Sequence, residues 1–236
     1  MPEDRVKFIE QWYRNFVSHT NEKDVLVEKI ADLADGRNFE SCLEIGLGLS
    51  PYFAKILAPR FTRYLIVEKR IIKEDMPEGV ELANQDWEKV SLDEKFDVII
   101  ASHVIYYFQD KKKAIDKMFK YLNTGGAIFF VINGKTGDYG PLKSAFSKMV
   151  KEKYKFTYDE LLEIIKGRSY REYTVPSTIK FKNFEDLYNT LKISFDAWPK
   201  EYKSLKSEMI KYLKSQLKGK KFIIDQKIIE VIKLSE

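Results

Sequence analysis

A short apolar strand that ends beside two glycines constrains this chain more than any other feature. Residues 41–45 read Ser-Cys-Leu-Glu-Ile, and Gly46 and Gly48 follow directly. A second apolar run, residues 64–67, ends in Glu68, 20 residues after the second glycine. In an open α/β sheet, such glycines let the backbone approach an adenosine-type cofactor, and the later acid accepts hydrogen bonds from ribose hydroxyls. The pattern predicts a cofactor site at the carboxyl ends of two neighbouring strands.

After two helices, strands alternate with helices from residue 41 to residue 132, which predicts a doubly wound, mostly parallel sheet. After Gly134 the pattern changes to a loop and then to helices, with one strand between them and one after them. Ser50 and Pro51 are predicted to cap and to begin the helix that follows the glycines. The predicted strands are 41–45, 63–67, 80–83, 96–101, 127–132, 171–181 and 222–234. The predicted helices are 5–17, 24–34, 52–57, 71–75, 111–122, 142–166 and 183–217.

The chain shows no linker, repeat or low-complexity segment, so we expect a single domain over residues 1–236. Within it, residues 1–36 form an N-terminal helical cap and residues 38–135 form the cofactor-binding core. Residues 136–236 supply helices on the substrate side, including a helical insertion near the C-terminus, and the last strands. The core is thus expected to hold the cofactor, and the flanking segments are expected to choose the substrate.

Composition excludes several classes of protein. Of the 236 residues, 44% are apolar and 33% charged, with a net charge of +5. No apolar run reaches the roughly 18 residues of a membrane span, and the first residues lack a secretion signal. The one cysteine, Cys42, excludes an internal disulfide, and no metal-ligand spacing is present. A cytoplasmic location is therefore expected. The lysines of segment 200–221 alternate with acidic and apolar residues, which favours a solvated helix face over a nucleic-acid surface.

The stretch Leu-Glu-Ile-Gly-Leu-Gly at 43–48 resembles the first motif of the class I S-adenosylmethionine-dependent methyltransferases. Residues 84–87 (Asn-Gln-Asp-Trp) resemble the adenine-binding motif, and residues 96–107 resemble the motif that precedes the substrate. The alternative dinucleotide fingerprint fails, because Pro51 stands where its third glycine would be. The resemblance covers about residues 38–135. It implies the Rossmann-like methyltransferase fold, S-adenosyl-L-methionine as cofactor and no metal. It also implies that the cofactor contacts Glu44, Gly46, Gly48, Ser50, Glu68, Lys69, Asp86, Trp87 and Ser102.

A narrower resemblance is to histamine N-methyltransferase-like enzymes of small molecules. It lies in residues 102–107, in residues 13–22 and in the strand that follows Gly219. It implies that Glu22, His103 and Asp225 contact the substrate. Other roles remain open for these three residues: Glu22 as a helix-capping acid, His103 as a pocket-wall residue and Asp225 as a solvent-facing acid. Of the two tyrosines that follow His103, Tyr106 and Tyr107, we expect one in the core and Tyr107 in the substrate pocket.

The expected function is therefore methyl transfer to a small-molecule acceptor, at an amine nitrogen. His103 is the predicted catalytic base, because it is the nearby side chain that ordinarily titrates near neutral pH. The alternatives are an RNA or protein methyltransferase and a cofactor-binding regulator without catalysis. A small-molecule acceptor is the expected partner, whereas nucleic acid and membrane are not expected partners.

Overall fold

A seven-stranded sheet forms the centre of the protein in the computed structural model, which describes residues 9–72, 74–152 and 156–234. The strand order is β3-β2-β1-β4-β5-β7-β6. Strands β1 to β5 are parallel, and β7 pairs antiparallel with both β5 and β6. The strands are β1 (Ser41–Ile45), β2 (Arg63–Val67), β3 (Val80–Ala83), β4 (Phe96–Ser102), β5 (Leu122–Gly137), β6 (Tyr170–Lys180) and β7 (Lys221–Ile232). This mostly parallel sheet confirms the predicted fold class.

Helices pack around this sheet, and three of them lie between β6 and β7 in the chain. They form the helical insertion predicted near the C-terminus. The helices are α1 (Glu10–Val17), α2 (Glu22–Ala34), α3 (Tyr52–Leu57), α4 (Lys111–Lys120), α5 (Tyr139–Val150), α6 (Thr157–Ile164), α7 (Phe184–Thr190), α8 (Pro199–Ser204) and α9 (Lys206–Gln216). Within the described residues, no helix combines the length and apolarity needed to cross a membrane.

Both faces of the sheet are covered, because alternate residues of each central strand point to opposite sides. Leu43 and Ile99 pack with α4 and α6 on one face. Cys42 and Val98 pack with α2 and α3 on the other face. Two-sided burial explains why these strands are continuous apolar runs rather than alternating ones.

A third apolar cluster lies where α1, α5 and α7 to α9 meet the ends of β6 and β7. It is rich in aromatic side chains, among them Phe146, Phe195 and Tyr202. The Tyr202 ring stacks on Phe195 at 4.4 Å between centroids. This cluster lies over one end of the sheet and supplies one wall of the cavity described below. We call it the cap, and from the N-terminal helical cap predicted over residues 1–36 it includes only residues of α1.

Two local predictions are wrong. The described residues of segment 71–75 (71, 72, 74 and 75) are not helical, and the rest of that segment lies outside the described residues. The Asn84 amide donates to the carbonyls of Glu68 and Arg70, both at 2.8 Å, and fixes the chain there. So short a segment also lacks the length to nucleate a helix.

The second error concerns the start of α3. The helix begins at Tyr52, with Pro51 in the N-cap position and no side-chain cap. The backbone N–H of Tyr52 donates to the carbonyl of Ser50 at 2.7 Å, so the backbone of Ser50 and not its hydroxyl accepts this bond. The predicted helix over 5–17 is observed from Glu10, and residues 5–8 lie outside the described residues.

Candidate functional site

The glycine loop lies at the carboxyl end of β1, where the chain leaves the centre of the sheet. Gly46 and Gly48 both have φ of +73°, a conformation that disfavours any side chain. A Cβ on Gly46 would lie 3.0 Å from Val104 Cγ2, and one on Gly48 would lie 2.9 Å from the Tyr13 hydroxyl. The loop therefore needs glycine for its backbone shape and for the close approach of α1.

Glu68 connects the end of β2 to this loop. Its side chain is buried, and one carboxylate oxygen accepts a hydrogen bond from the Leu47 N–H at 3.1 Å. Arg70 donates from Nε to the other oxygen at 3.0 Å, and its Nη2 donates to Gly48 O. The second acid of the sequence pattern thus lies directly against the glycines, although 20 residues separate them in the chain.

Glu44, within β1, is a buried carboxyl on the wall of the same cavity. Its Oε2 accepts a hydrogen bond from the Tyr64 hydroxyl at 2.7 Å. Burial is the largest influence and raises the pKa of Glu44 to about 7, against the lowering effects of Tyr64 and Lys23. Near neutral pH this carboxyl is therefore only partly ionised.

This raised pKa predicts a pH-dependent stability. A carboxyl whose pKa is about 7 when folded and near 4.5 when unfolded binds more protons in the folded state between those values. Its contribution to stability is therefore favourable at low pH and is lost as pH rises from about 4.5 to 7. We expect Glu44→Gln, which retains the bond from Tyr64, to be up to about 3 kcal/mol more stable than wild type at pH 8. Thermal unfolding without cofactor measures this difference.

The matched control for that experiment is Glu40→Gln, because Glu40 precedes the same strand and is exposed. This control should follow the wild-type pH profile. A Glu44→Gln variant that is less stable than wild type at pH 8 would contradict the account.

The other residues predicted for the cofactor lie around this loop, with one exception. Trp87 is buried, and its indole N–H donates to the Ala114 carbonyl at 3.1 Å. Asp86 accepts a bond from the Glu88 N–H at 2.9 Å. Lys69 and Ser102 line the cavity as well. Ser50 does not line it.

These residues surround a cavity of about 570 Å³, bounded by the strand ends on one side and the cap on the other. A pocket of this size holds a ligand of drug-like dimensions. The residues present fit an adenosine-type cofactor. Backbone without side chains borders the space at both glycines, and a buried carboxylate faces that backbone. The predicted cofactor residues are thus brought together, apart from Ser50.

His103 and Glu22 meet on the wall of this cavity. His103 follows β4 with a left-handed φ of 50°, and its backbone N–H donates to the Val131 carbonyl at 2.9 Å. Its Nε2 lies 3.5 Å from Oε1 of Glu22, the first residue of α2. Glu22 is only 6% exposed, and burial raises its pKa above the ordinary value, although His103 acts to lower it. Glu22 is thus a buried acid whose carboxyl group lies beside an imidazole on the cavity wall.

Gln226, which was not predicted from the sequence, holds Glu22 in place. It is fully buried in β7, and its Nε2 donates to Glu22 Oε2 at 2.7 Å and to the Ser177 hydroxyl at 3.0 Å. The predicted residue, Asp225, points to the other side of the strand and does not line the cavity. Its carboxylate accepts a bond from the Thr136 hydroxyl at 2.6 Å. The alternation of β7 distinguishes Gln226 from Asp225, because Ile224 and Gln226 share the buried face of the strand.

Tyr107 lines the cavity as predicted, and burial raises the pKa of its phenol. Two further charged residues of the wall, Lys143 and Asp196, were not predicted. They come from α5 and from the turn after the short 3-10 segment Leu191–Phe195. No sequence motif marks either residue, and only the packing of the cap brings them to the cavity.

Comparison with known proteins agrees with this geometry. The family described as a methyltransferase domain matches residues 17–171, which is more than half of the chain. An uncharacterized methyltransferase of Bacillus cytotoxicus is 28% identical over 134 residues. That match covers 51% of this chain and 63% of the relative, so it spans less than two thirds of the relative's length.

Solved structures with a similar fold include three proteins of low sequence identity. The YcgJ protein of Bacillus subtilis has a TM-score of 0.58 at 15% identity, over 89% of this chain and 98% of that chain. The N-methyltransferase NodS of Bradyrhizobium japonicum WM9 has a TM-score of 0.51 at 16% identity, over 91% and 98%. The plantazolicin methyltransferase BpumL, in complex with a pentazolic desmethyl analog and S-adenosylhomocysteine, has a TM-score of 0.53 at 11% identity, over 91% and 85%. At these identities the likeness concerns the fold alone.

The sheet order, the glycine loop and the acid after β2 define a Rossmann-like fold of the class I S-adenosylmethionine-dependent kind. The chain belongs to the methyltransferase domain family.

Proposed function

We propose that this protein transfers the methyl group of S-adenosylmethionine to an amine nitrogen of a small-molecule acceptor that binds beside Glu22. The observation that carries the proposal is the buried Glu22 carboxylate on the cavity wall, held by Gln226 and facing His103. A buried carboxylate is costly unless it is paired, and the ammonium form of an amine supplies a matching charge.

Two proteins with a similar fold have names that agree with this acceptor class. NodS, named as an N-methyltransferase, and BpumL, solved with an analog of plantazolicin, have folds like this one. The position of the cap supports a small acceptor over a large one, because its packed aromatic residues lie on the side of the cavity opposite the strand ends.

The arrangement of the chain's own residues supports this cofactor. The backbone of Gly46 and Gly48 would border the methionine part, Glu68 would accept the ribose hydroxyls, and Asp86 and Trp87 would border the adenine. When bound, the cofactor supplies an electrophilic methyl group on a sulfonium. The tasks left to the protein are to exclude water, orient the acceptor nitrogen and accept the proton that this nitrogen gives up.

The hydrogen bonds of His103 support Glu22 as the group that takes this proton. The Asn133 N–H donates to the Tyr106 hydroxyl oxygen at 3.0 Å, and that hydroxyl lies 3.3 Å from His103 Nδ1. A hydroxyl that accepts from Asn133 can donate to Nδ1, and a neutral ring in this arrangement would carry its proton on Nε2, towards Glu22. We therefore assign the base role to Glu22 and a positioning role to His103, in place of the base role predicted for His103 from the sequence.

A methyl-transfer assay tests the proposal. The protein is incubated with S-adenosylmethionine labelled in the methyl group and with a panel of primary and secondary amines, total RNA and a peptide mixture. We expect label in N-methylated small amines. Label only in RNA or peptide would overturn the small-molecule assignment, and label only on oxygen would overturn the amine assignment.

A further inference from the structure

A closed ring of contacts joins five residues at the wall of the cavity. The Nε2 atom of His103 lies 3.5 Å from Glu22 Oε1, and Nδ1 of the same imidazole lies 3.3 Å from the Tyr106 hydroxyl. That hydroxyl accepts a hydrogen bond from the backbone N–H of Asn133 at 3.0 Å. Asn133 on β5 lies directly opposite Gln226 on β7. Gln226 Nε2 donates to Glu22 Oε2 at 2.7 Å, which closes the ring.

Buried polar atoms without partners are concentrated in this ring. Among the described residues, three buried side-chain atoms have no hydrogen-bond partner, namely His103 Nε2, Asn133 Oδ1 and Gln226 Oε1. Because nearly all buried polar groups in proteins are paired, such a concentration indicates a place where a ligand supplies the missing bonds. His103 Nε2 lies beside Glu22, so the two amide oxygens remain. An amide oxygen only accepts hydrogen bonds, and the missing partners are therefore donors.

Asn133 is the amide that borders the cavity. It lines the cavity together with Glu22, His103 and Tyr106, whereas Gln226 is fully buried. Directly opposite residues of antiparallel strands share one face of the sheet, with Cβ atoms about 5 Å apart. The Asn133 side chain thus lies beside Gln226, which holds Glu22. No hydrogen bond joins the two amides, since neither oxygen has a partner. A nitrogen bound at Glu22 is therefore placed next to an amide that needs a donor.

We propose that the Asn133 side-chain oxygen accepts a second hydrogen bond from the acceptor nitrogen, so that the site takes a primary amine and adds one methyl group. This inference rests on the proposed function, because it concerns the nitrogen that Glu22 binds. In its reactive neutral form, a primary amine has two N–H bonds and one lone pair. One N–H donates to Glu22, the other donates to Asn133, and the lone pair is left for the methyl group.

The transfer keeps a donor on Asn133 throughout. The lone pair forms the new N–C bond while the C–S bond of the cofactor breaks towards sulfur, and one proton passes from the nitrogen to Glu22. The product is a secondary amine whose remaining N–H still donates to Asn133. A secondary amine as acceptor has a single N–H bond, so either Glu22 or Asn133 would lose its partner. Because a site built to bind an N–H group rejects an analogue that lacks it, a second methylation is disfavoured.

A series of amines with decreasing numbers of N–H bonds tests this assignment. The probes are phenethylamine, tryptamine and hexylamine, each with its N-methyl and N,N-dimethyl derivatives. In this order, each ammonium form carries one N–H bond fewer. Every probe is titrated into S-adenosylhomocysteine-loaded wild type, into Asn133→Leu, which removes the acceptor at similar size, and into Asn133→Asp, which retains an oxygen acceptor. Thr124→Val, at an exposed position of the same strand, is the control.

We expect at least one N,N-dimethyl amine to bind wild type and the Thr124→Val control about tenfold or more weakly than its primary amine. Its single N–H bond leaves Glu22 or Asn133 unpaired, whereas the N-methyl derivative can still donate to both. The preference should disappear in Asn133→Leu and return in Asn133→Asp. Unchanged affinity for S-adenosylhomocysteine shows that Asn133→Leu is folded; if it does not fold, Asn133→Ala replaces it.

The products of turnover supply a second readout. Wild type should convert a primary amine to its monomethyl product, and Asn133→Leu should give a larger share of dimethyl product, because it no longer needs the second N–H bond.

A preference caused by the bulk of the methyl groups would persist in Asn133→Leu. That result, equal binding of the three members of each series by wild type, or binding of none of the probes would overturn the inference. Methylation of other amines would then leave the proposed function standing. If the preference depends on Asn133 but no amine is methylated, the proposed function fails and the amine-binding site remains.

Discussion

Glu68→Ala is expected to weaken the binding of S-adenosylhomocysteine by about 100-fold or more. The ribose hydroxyls would lose a carboxylate acceptor, and hydrogen bonds to a charged group contribute about 1.5–3 kcal/mol each. Two such bonds give a loss of at least about 3 kcal/mol, which is about two orders of magnitude in Kd. Isothermal titration of the variant and the wild type measures it.

The design of this experiment must separate binding from folding, because Glu68 also accepts from Leu47 and Arg70. Thermal unfolding of the variant shows whether it remains folded, and Glu68→Gln offers a less disruptive second variant. Glu81→Ala on the adjacent strand β3 removes an exposed acid of the same charge and should leave the affinity unchanged. A folded Glu68→Ala protein with wild-type affinity would mean that the cofactor does not use this carboxylate.

Glu22→Gln is expected to lower kcat/KM for the amine acceptor by about 100- to 1000-fold while cofactor affinity is unchanged. The amide has nearly the shape of the carboxyl but cannot accept a proton or pair with an ammonium group, and general-base catalysis contributes about 10²–10⁴ in rate. The exposed Glu28→Gln on the same helix is the matched control and should behave as wild type.

The pH profile distinguishes this role from a merely structural one. Burial raises the pKa of Glu22, and the ionised carboxylate is the active form. Activity of the wild type should therefore fall as pH decreases through that raised pKa, from a point above the ordinary range of a glutamate. The same limb should be absent in Glu22→Gln. A variant with full activity, or one with an unchanged acid limb, would remove Glu22 from the mechanism.

Much of the fold could be predicted from the sequence, because the pattern of apolar residues in the central strands depends directly on which faces are buried. Apolar runs such as residues 96–101 indicate burial on both faces, and the glycines before Pro51 mark the loop at the sheet centre. No helix is observed in the described residues of segment 71–75, and just before it the Asn84 amide binds the carbonyls of Glu68 and Arg70. Such a long-range contact is not visible in the local sequence.

The cofactor side of the site was more predictable than the acceptor side. Its residues lie within a contiguous pattern that runs from Glu44 to Ser102 along consecutive strands. The residues that we propose to hold the acceptor come from elements far apart in the chain, such as α2 and β7, and only folding brings these together. Gln226 was missed in favour of its neighbour Asp225, since a one-residue choice in a strand decides which face a side chain occupies. Lys143 resembles any other helix lysine until its packing is known.

The most direct test of the account is calorimetric titration of S-adenosylhomocysteine into the wild-type protein. We expect one site per chain with micromolar or tighter affinity, and competition by S-adenosylmethionine for the same site. Absence of binding by both compounds to the folded protein would contradict the assignment of this cavity to the cofactor, and with it the proposed methyl transfer.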